Sequence, residues 1–215
     1  VIDLRCTTPN YDTLYTRWLE KPGDLLDLAG WKPGMKLMDL CGGTGAVSLE
    51  AIRRGADPED ITLVDLNPRC PDERIYQEAC KAENIGFVFD GRWGEWDVIV
   101  CRQAIAYLNI TKFKGASLFG AINAFLKPDG VFVFNTFVKP RWALKRYKYA
   151  GLQYVEASAY CGRTVWHVQG AVGVGWDATK FHWHEEEDLK AWTRMFNTTM
   201  ETNGKSQRWR CKKRF

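Results

Sequence analysis

Residues 36–55 limit this chain more than any other stretch. Lys-Leu-Met-Asp-Leu at 36–40 follows a Pro33-Gly34 turn and reads as a strand. It runs into Cys41-Gly42-Gly43-Thr44-Gly45, where glycines let the backbone turn sharply and bring it close to a ligand. A helix is expected from about Thr44, because Val47, Ala51 and Ile52 recur at helical spacing, Arg53 and Arg54 suit the negative end of a helix, and Gly55 can take a left-handed cap. A strand that passes through a glycine-rich turn into a helix is the opening unit of a parallel α/β sheet.

The rest of the chain supplies further units. Ile61–Asp65 reads as the second strand, Asp72 to about Ala82 as a helix with Pro71 near its start, Ile85–Phe89 as a short third strand and Trp96–Cys101 as a fourth. The unbroken Val98-Ile99-Val100 suggests burial on both faces. Leu118, Phe119, Ile122, Phe125 and Leu126 form one helical stripe that Pro128 and Gly130 stop, and Val131–Phe137 is the fifth strand. The rhythm then breaks. Residues 138–184 are rich in Tyr, Trp, Gly and Val, and alternation near 154–160 and 164–168 predicts an antiparallel insertion. Glu185, Glu186 and Glu187 open a last helix with Leu189, Trp192, Met195 and Phe196 as its buried stripe. Two strands around 198–202 and 207–213 follow, joined by the hairpin signal Asn203-Gly204.

Length and composition narrow the classes. A chain of 215 residues, 46% apolar and 26% charged, suits one folded domain and excludes a disordered one. Its apolar runs are too short for a membrane helix, so no membrane insertion is expected. The opening residues show no charged, apolar and small-residue leader, which favours a cytoplasmic address. Seven scattered cysteines without a C-x-x-C pair, and three histidines, argue for reduced thiols and against a metal site. The net charge of +4 is mild, but basic residues gather at 139–148 and again at 208–214.

The ligand class follows from two acids. Asp65 ends the second strand, 20 residues after Gly45, where its carboxylate can accept hydrogen bonds from both hydroxyls of a ribose lying across the strand ends. A dinucleotide site normally carries G-x-G-x-x-G, yet Gly45 is followed by Ala46, Val47 and Ser48. Asp39 would repel a phosphate and attract a cationic amino-acid end. Nucleoside and cation together point to S-adenosylmethionine.

At these positions the chain resembles the class I S-adenosylmethionine-dependent methyltransferases, particularly their small-molecule branch, whose first motif commonly reads D-L-G-C-G-T-G. Here it reads D-L-C-G-G-T-G at 39–45; that position mainly offers backbone, so Cys41 in place of a glycine is expected to be tolerated on condition that it keeps a negative φ. The resemblance implies that Asp39, Cys41, Gly42, Gly43, Thr44 and Gly45 cradle the cofactor, that Asp65 holds the ribose, and that Leu66 and Asn67 flank the adenine. Phe89-Asp90-Gly91 resembles the loop after the family's third strand, so Asp90 and Gly91 are expected at the adenine amino group. Cys101 and Arg102, at the end of the fourth strand, would lie near the methionyl part, and Tyr11 in the N-terminal stretch resembles a lid residue. The implied fold is a three-layer, Rossmann-like seven-stranded sheet with helices on both faces and strand seven antiparallel. A helical lid over 1–30 and a substrate-covering insertion over 138–184 belong to the same single domain.

Methyl transfer from a sulfonium is an in-line displacement, so positioning dominates and a base is optional. His167 and Tyr107 are the candidate bases. The aromatic insertion reads equally as a lining for a planar or cationic acceptor and as a small sheet with its own core or a homodimer contact. A small-molecule acceptor with an oxygen or nitrogen nucleophile is the leading expectation. An RNA acceptor drawn to the basic clusters, or a non-methylating protein that binds the same cofactor, stays open.

Overall fold

The computed structural model describes residues 20–105, 108, 112–137, 148–149, 152–160, 163–172, 175–182, 186–202 and 206–214. The strands are β1 (Leu37–Leu40), β2 (Ile61–Asp65), β3 (Tyr76–Ala79), β4 (Trp96–Cys101), β5 (Leu126–Phe137), β6 (Lys148–Tyr149), β7 (Leu152–Tyr160), β8 (Arg163–Val172), β9 (Gly175–His182), β10 (Phe196–Thr202) and β11 (Ser206–Lys213). The helices are α1 (Pro22–Ala29), α2 (Ala46–Arg53), the single turn α3 (Ile85–Val88), α4 (Lys112–Phe125) and α5 (Glu186–Thr193).

Seven strands form one sheet in the order β10-β11-β5-β4-β1-β2-β3. The five strands β3, β2, β1, β4 and β5 are parallel, and β11 enters antiparallel between β5 and β10. This is the expected three-layer architecture. The period-2 alternation of the strands sorts the core into two layers. Met38, Leu40, Ile99, Cys101, Phe132 and Phe134 face α4 and α5, with Phe119 and Trp192 among the packed residues. Leu37, Leu63, Val98, Val100, Val131 and Val133 face α1 and α2, with Leu25, Leu26, Val47 and Ala51. Trp192 lies so close over α4 that a Cβ on Gly115 would stand 2.2 Å from its ring.

Two elements differ from the sequence reading. The helix expected over 72–82 is a turn followed by β3, which pairs in parallel with β2 from Thr62↔Tyr76 to Asp65↔Ala79. Asp72 and Arg74 close that turn with an ion pair. The open edge of β2 is satisfied by a strand, and the short link from Asp65 leaves no room for a crossover helix. The strand expected over 85–89 is α3 with its flanking turn. Ile85 and Phe89, four apart, are both buried, whereas Phe87 between them is 86% exposed. That spacing is helical, and a five-residue apolar run alone does not separate the two states.

The insertion is antiparallel as expected, with four strands in the order β6-β7-β8-β9. At the N-terminal side, α1 buries Leu25, Leu26 and Ala29 in the core, so this part of the expected lid is a fixed layer of the fold. The Asn203-Gly204 turn lies outside the described residues, although the register Thr202↔Gln207 on its two sides is that of a hairpin.

Candidate functional site

The sheet turns its chain direction between β1 and β4. After β1 the chain winds outward through β2 and β3, then returns to β4 and β5. In open α/β sheets the crevice at the carboxyl ends beside such a switch point is where ligands bind. Residues 39–45, 65–67 and 101–102 all lie at that edge.

Asp39, on the α2 side of β1, is 1% exposed. Its Oδ2 accepts from the backbone N–H of Ser48 at 3.0 Å and from Ser48 Oγ at 2.8 Å. Its Oδ1 has no hydrogen-bond partner among the described residues. Burial pushes the carboxyl up to about 6, against the opposing pull of the Ser48 bonds and the Arg102 guanidinium. Gly42 roofs it, since a Cβ there would stand 2.7 Å from Asp39 Cγ.

Asp65 is oriented by the backbone. Its Oδ2 accepts from Gly43 N–H at 3.0 Å and its Oδ1 from Asn67 N–H at 2.9 Å. Each oxygen keeps a further lone pair, which is what a vicinal diol requires. Leu66 beside it is 45% exposed. Gly42 N–H donates to Val64 O at 3.1 Å and Arg69 N–H to Gly43 O at 2.9 Å, so the turn is bound to the end of β2. Gly45 stands at φ +78° with Cys70 Sγ 2.6 Å from where a Cβ would be, and its carbonyl accepts from Leu49 N–H as the helix begins. Thr44 completes the turn.

Cys41 departs from expectation, for its φ is +59° rather than negative. The residue adopts the left-handed conformation that glycine takes without cost. The neighbouring Cys101 thiol, with burial, pushes the Cys41 thiol well above the ordinary thiol range. Cys101 is fully buried at the end of β4. Arg102 Nη1 donates to Glu20 O at 3.3 Å, while its charge reaches Asp39.

Asp90 and Gly91 do not join this group. They follow α3 and precede β4, where Gly94 and Glu95 N–H donate to Ala124 and Phe125 O at the amino edge of the sheet. The misplaced third strand is the cause. The loop that does follow β3 is Cys80–Asn84, and Cys80 N–H donates to Asp65 O at 2.9 Å. Tyr11 and Tyr107 lie outside the described residues. His167 lies on β8 at one register position with Glu156 and Lys180. Sequence reasoning missed Ser48, which locks Asp39; its only signal was a hydroxyl in the first turn of the helix after the acid. It also missed Glu20, which is buried and accepts from Ser206 Oγ at 2.5 Å and from Arg208.

The basic cluster at 208–214 is largely engaged within the fold. Arg208 pairs with Glu20, Asp24 and Glu201, Arg210 donates to Leu28 O, Lys212 pairs with Asp129, and Lys213 donates to Leu126 O. Among the described residues no group of three potential ligands could hold a metal ion, and no helix is long and apolar enough to cross a membrane.

Comparisons agree with this geometry. Residues 14–202 match the family model described as a methyltransferase domain. The ubiquinone/menaquinone biosynthesis C-methyltransferase of Shewanella oneidensis is 27% identical over 136 residues, 58% of this chain and 51% of that protein. The chain thus spans about half the length of the curated relatives it matches. Among solved structures, an S-adenosylmethionine-dependent methyltransferase from Clostridium acetobutylicum superposes with a TM-score of 0.67 at 16% identity, covering 94% of this chain and 96% of the other. The 1,6-didemethyltoxoflavin-N1-methyltransferase of Burkholderia thailandensis, solved with its substrate and S-adenosylhomocysteine, gives 0.59 at 15% identity, covering 91% and 77%. These two share the fold. With the family model spanning most of the sequence, and motifs at 39–45 and 61–67 gathered at one sheet edge, this chain belongs to the methyltransferase domain family, in the S-adenosylmethionine-dependent class that its motifs resemble.

Proposed function

We propose that this chain binds S-adenosylmethionine across the carboxyl ends of β1, β2 and β4 and methylates a small-molecule acceptor. The observation that carries the reading is Asp65. Its two oxygens are each held by one backbone N–H, at 3.0 and 2.9 Å, beside a glycine turn, and each has capacity left for one ribose hydroxyl. The unpartnered Asp39 Oδ1 fits a cationic amino-acid end, and the exposed Leu66 side chain fits one face of a purine. Residues 80–84 after β3 take the place first given to Asp90 and Gly91 beside the base.

When bound, the cofactor would supply an electrophilic methyl that bonds in line to an oxygen or nitrogen nucleophile as its carbon–sulfur bond breaks and the sulfur leaves as a neutral thioether. The chain's own residues orient and exclude water: the 41–45 turn fixes the position along β1, and Asp65 sets the rotation of the nucleoside. The acceptor then approaches over β4 and β5, the side away from Asp65. The insertion covers it there in our reading, with His167 or Tyr107 taking the proton where the nucleophile needs a base. Small-molecule acceptors are named for the neighbours: 1,6-didemethyltoxoflavin for one and an amino pentose for another. The 208–214 cluster, engaged internally, gives an RNA acceptor little support.

Asp65→Ala tests the proposal. Hydrogen bonds to a charged group are worth about 1.5–3 kcal/mol each, so losing two should weaken S-adenosylhomocysteine binding at least about 100-fold by calorimetry, while the chain stays folded by circular dichroism with a thermal midpoint lowered by loss of the Gly43 and Asn67 bonds. Unchanged affinity refutes the assignment.

A further inference from the structure

We propose that Cys41 and Cys101 form a reversible disulfide that distorts the cofactor cradle, making the site a thiol–disulfide switch. The inference rests on the cofactor reading above. β1 and β4 are hydrogen-bonded parallel neighbours with Asp39 opposite Val100. Continuing that register sets Leu40 beside Cys101, and Cys41 one residue further on. Neighbouring strands lie about 4.8 Å apart, a spacing that suits the roughly 4.4–6.8 Å between Cα atoms that a disulfide spans. Cys41 packs against the core layer that contains Cys101, and the neighbouring Cys101 thiol helps to raise the Cys41 thiol above the ordinary range. Both are free thiols, Cys41 half-buried in the turn and Cys101 fully buried behind it.

The oxidant is a low-molecular-weight disulfide. The Cys41 thiolate attacks one of its sulfurs, forming a mixed disulfide and releasing one small thiolate. The Cys101 thiolate then attacks the Cys41 sulfur and releases the second. Two protons leave the protein and are taken up by the two small thiols, and two electrons pass from the cysteine pair to the oxidant. Only thiolates attack, so the half-buried, protonated Cys41 reacts faster as pH rises.

The consequence is mechanical. An S–S bond of about 2.05 Å draws the sulfurs closer than any thiol–thiol hydrogen bond and pulls residue 41 toward β4. Gly42 and Gly43 follow, away from β2. The contacts at risk are Gly42 N–H to Val64 O at 3.1 Å and Gly43 N–H to Asp65 Oδ2 at 3.0 Å. Asp65 then loses one of the two bonds that orient it.

The experiment uses the full chain, either fully reduced or equilibrated with glutathione disulfide at pH 8.5. Free thiols are blocked with iodoacetamide and the protein is mapped by peptide mass spectrometry, and S-adenosylhomocysteine binding is measured by calorimetry. The expected result is a linked pair of peptides containing Cys41 and Cys101, affinity at least tenfold weaker in the oxidised form, and full recovery on reduction. Coupling is reciprocal, so saturating S-adenosylhomocysteine should raise the reduction potential of the pair by about 30 mV for a tenfold difference. Cys101→Ser should show the same affinity before and after the oxidant. Absence of the linked peptides after complete oxidation overturns the disulfide; linked peptides with unchanged affinity overturn the gating. Reduced protein that fails to bind S-adenosylhomocysteine overturns the cofactor reading and the gating together, while the peptide map still decides the disulfide on its own.

Discussion

Asp39→Asn should make this protein more stable and a worse binder. Asp39 is 1% exposed with one unpartnered oxygen, and it titrates at about 6 in the fold against 3.8 in the ordinary case. Each pKa unit is worth 1.36 kcal/mol. Above pH 6 the carboxyl is ionised both folded and unfolded, and its raised pKa costs folding about 3 kcal/mol. As pH falls through 6 the folded protein takes up a proton that the unfolded chain still lacks, so the cost shrinks. It is about 1 kcal/mol at pH 4.5 and vanishes well below 3.8. Asparagine is close in shape to the protonated acid, and its oxygen can accept both Ser48 bonds. The difference between variant and native protein isolates this group, because the carboxylates that titrate low elsewhere cancel. Urea denaturation at pH 7 should therefore place Asp39→Asn about 3 kcal/mol above the native chain, with the gap narrowing to about 1 kcal/mol at pH 4.5. S-adenosylhomocysteine affinity should fall in the variant, and in the native protein it should decline as pH drops below 6. A variant less stable than the native chain at pH 7, or a gap that does not change with pH, refutes the reasoning.

Gly45→Ala places a Cβ 2.6 Å from Cys70 Sγ at φ +78°. Left-handed strain and overpacking together should cost about 2–4 kcal/mol by denaturant midpoint. Gly30→Ala, at φ +73° with open space around it, should cost only about 1–2 kcal/mol. Equal losses at the two positions would dismiss the close approach of Cys70. Arg208→Met strands the buried Glu20 carboxylate, and breaking such a pair costs about 3–5 kcal/mol. The double variant with Glu20→Gln should recover most of that loss in urea denaturation; failure to recover would mean that Arg208 acts through packing.

The residues chosen from sequence as cofactor contacts divide by the length of the signal behind them. Asp39–Gly45 and Asp65–Asn67 stand together because a strand of alternating or continuous apolar residues, ended by an acid or a glycine turn, has few ways to fold in a parallel sheet. Asp90 and Gly91 went to the wrong edge because their placement depended on Ile85–Phe89 being a strand. Five apolar residues satisfy both periods, and only the pairing of β3 with β2 excludes the strand there. The negative φ expected for Cys41 failed for a related reason: a residue's conformation in a turn is set by the two elements it joins, and here they demand +59°.

Sequence alone determined the parallel strands β1, β2, β4 and β5, the two acids and the antiparallel ending, since each depends on periodicity or on a turn residue acting within a few positions. Tertiary structure decided which side chains meet: Ser48 on α2 locking Asp39 on β1, Cys41 packing against the layer that holds Cys101, and Glu20 buried against Ser206 and Arg208. Glu20 meets residues from the opposite end of the chain, Cys41 follows β1 whereas Cys101 ends β4, and even the nine positions from Asp39 to Ser48 close only when α2 packs back onto β1; no local propensity encodes contacts that exist only once the sheet and its helices are assembled.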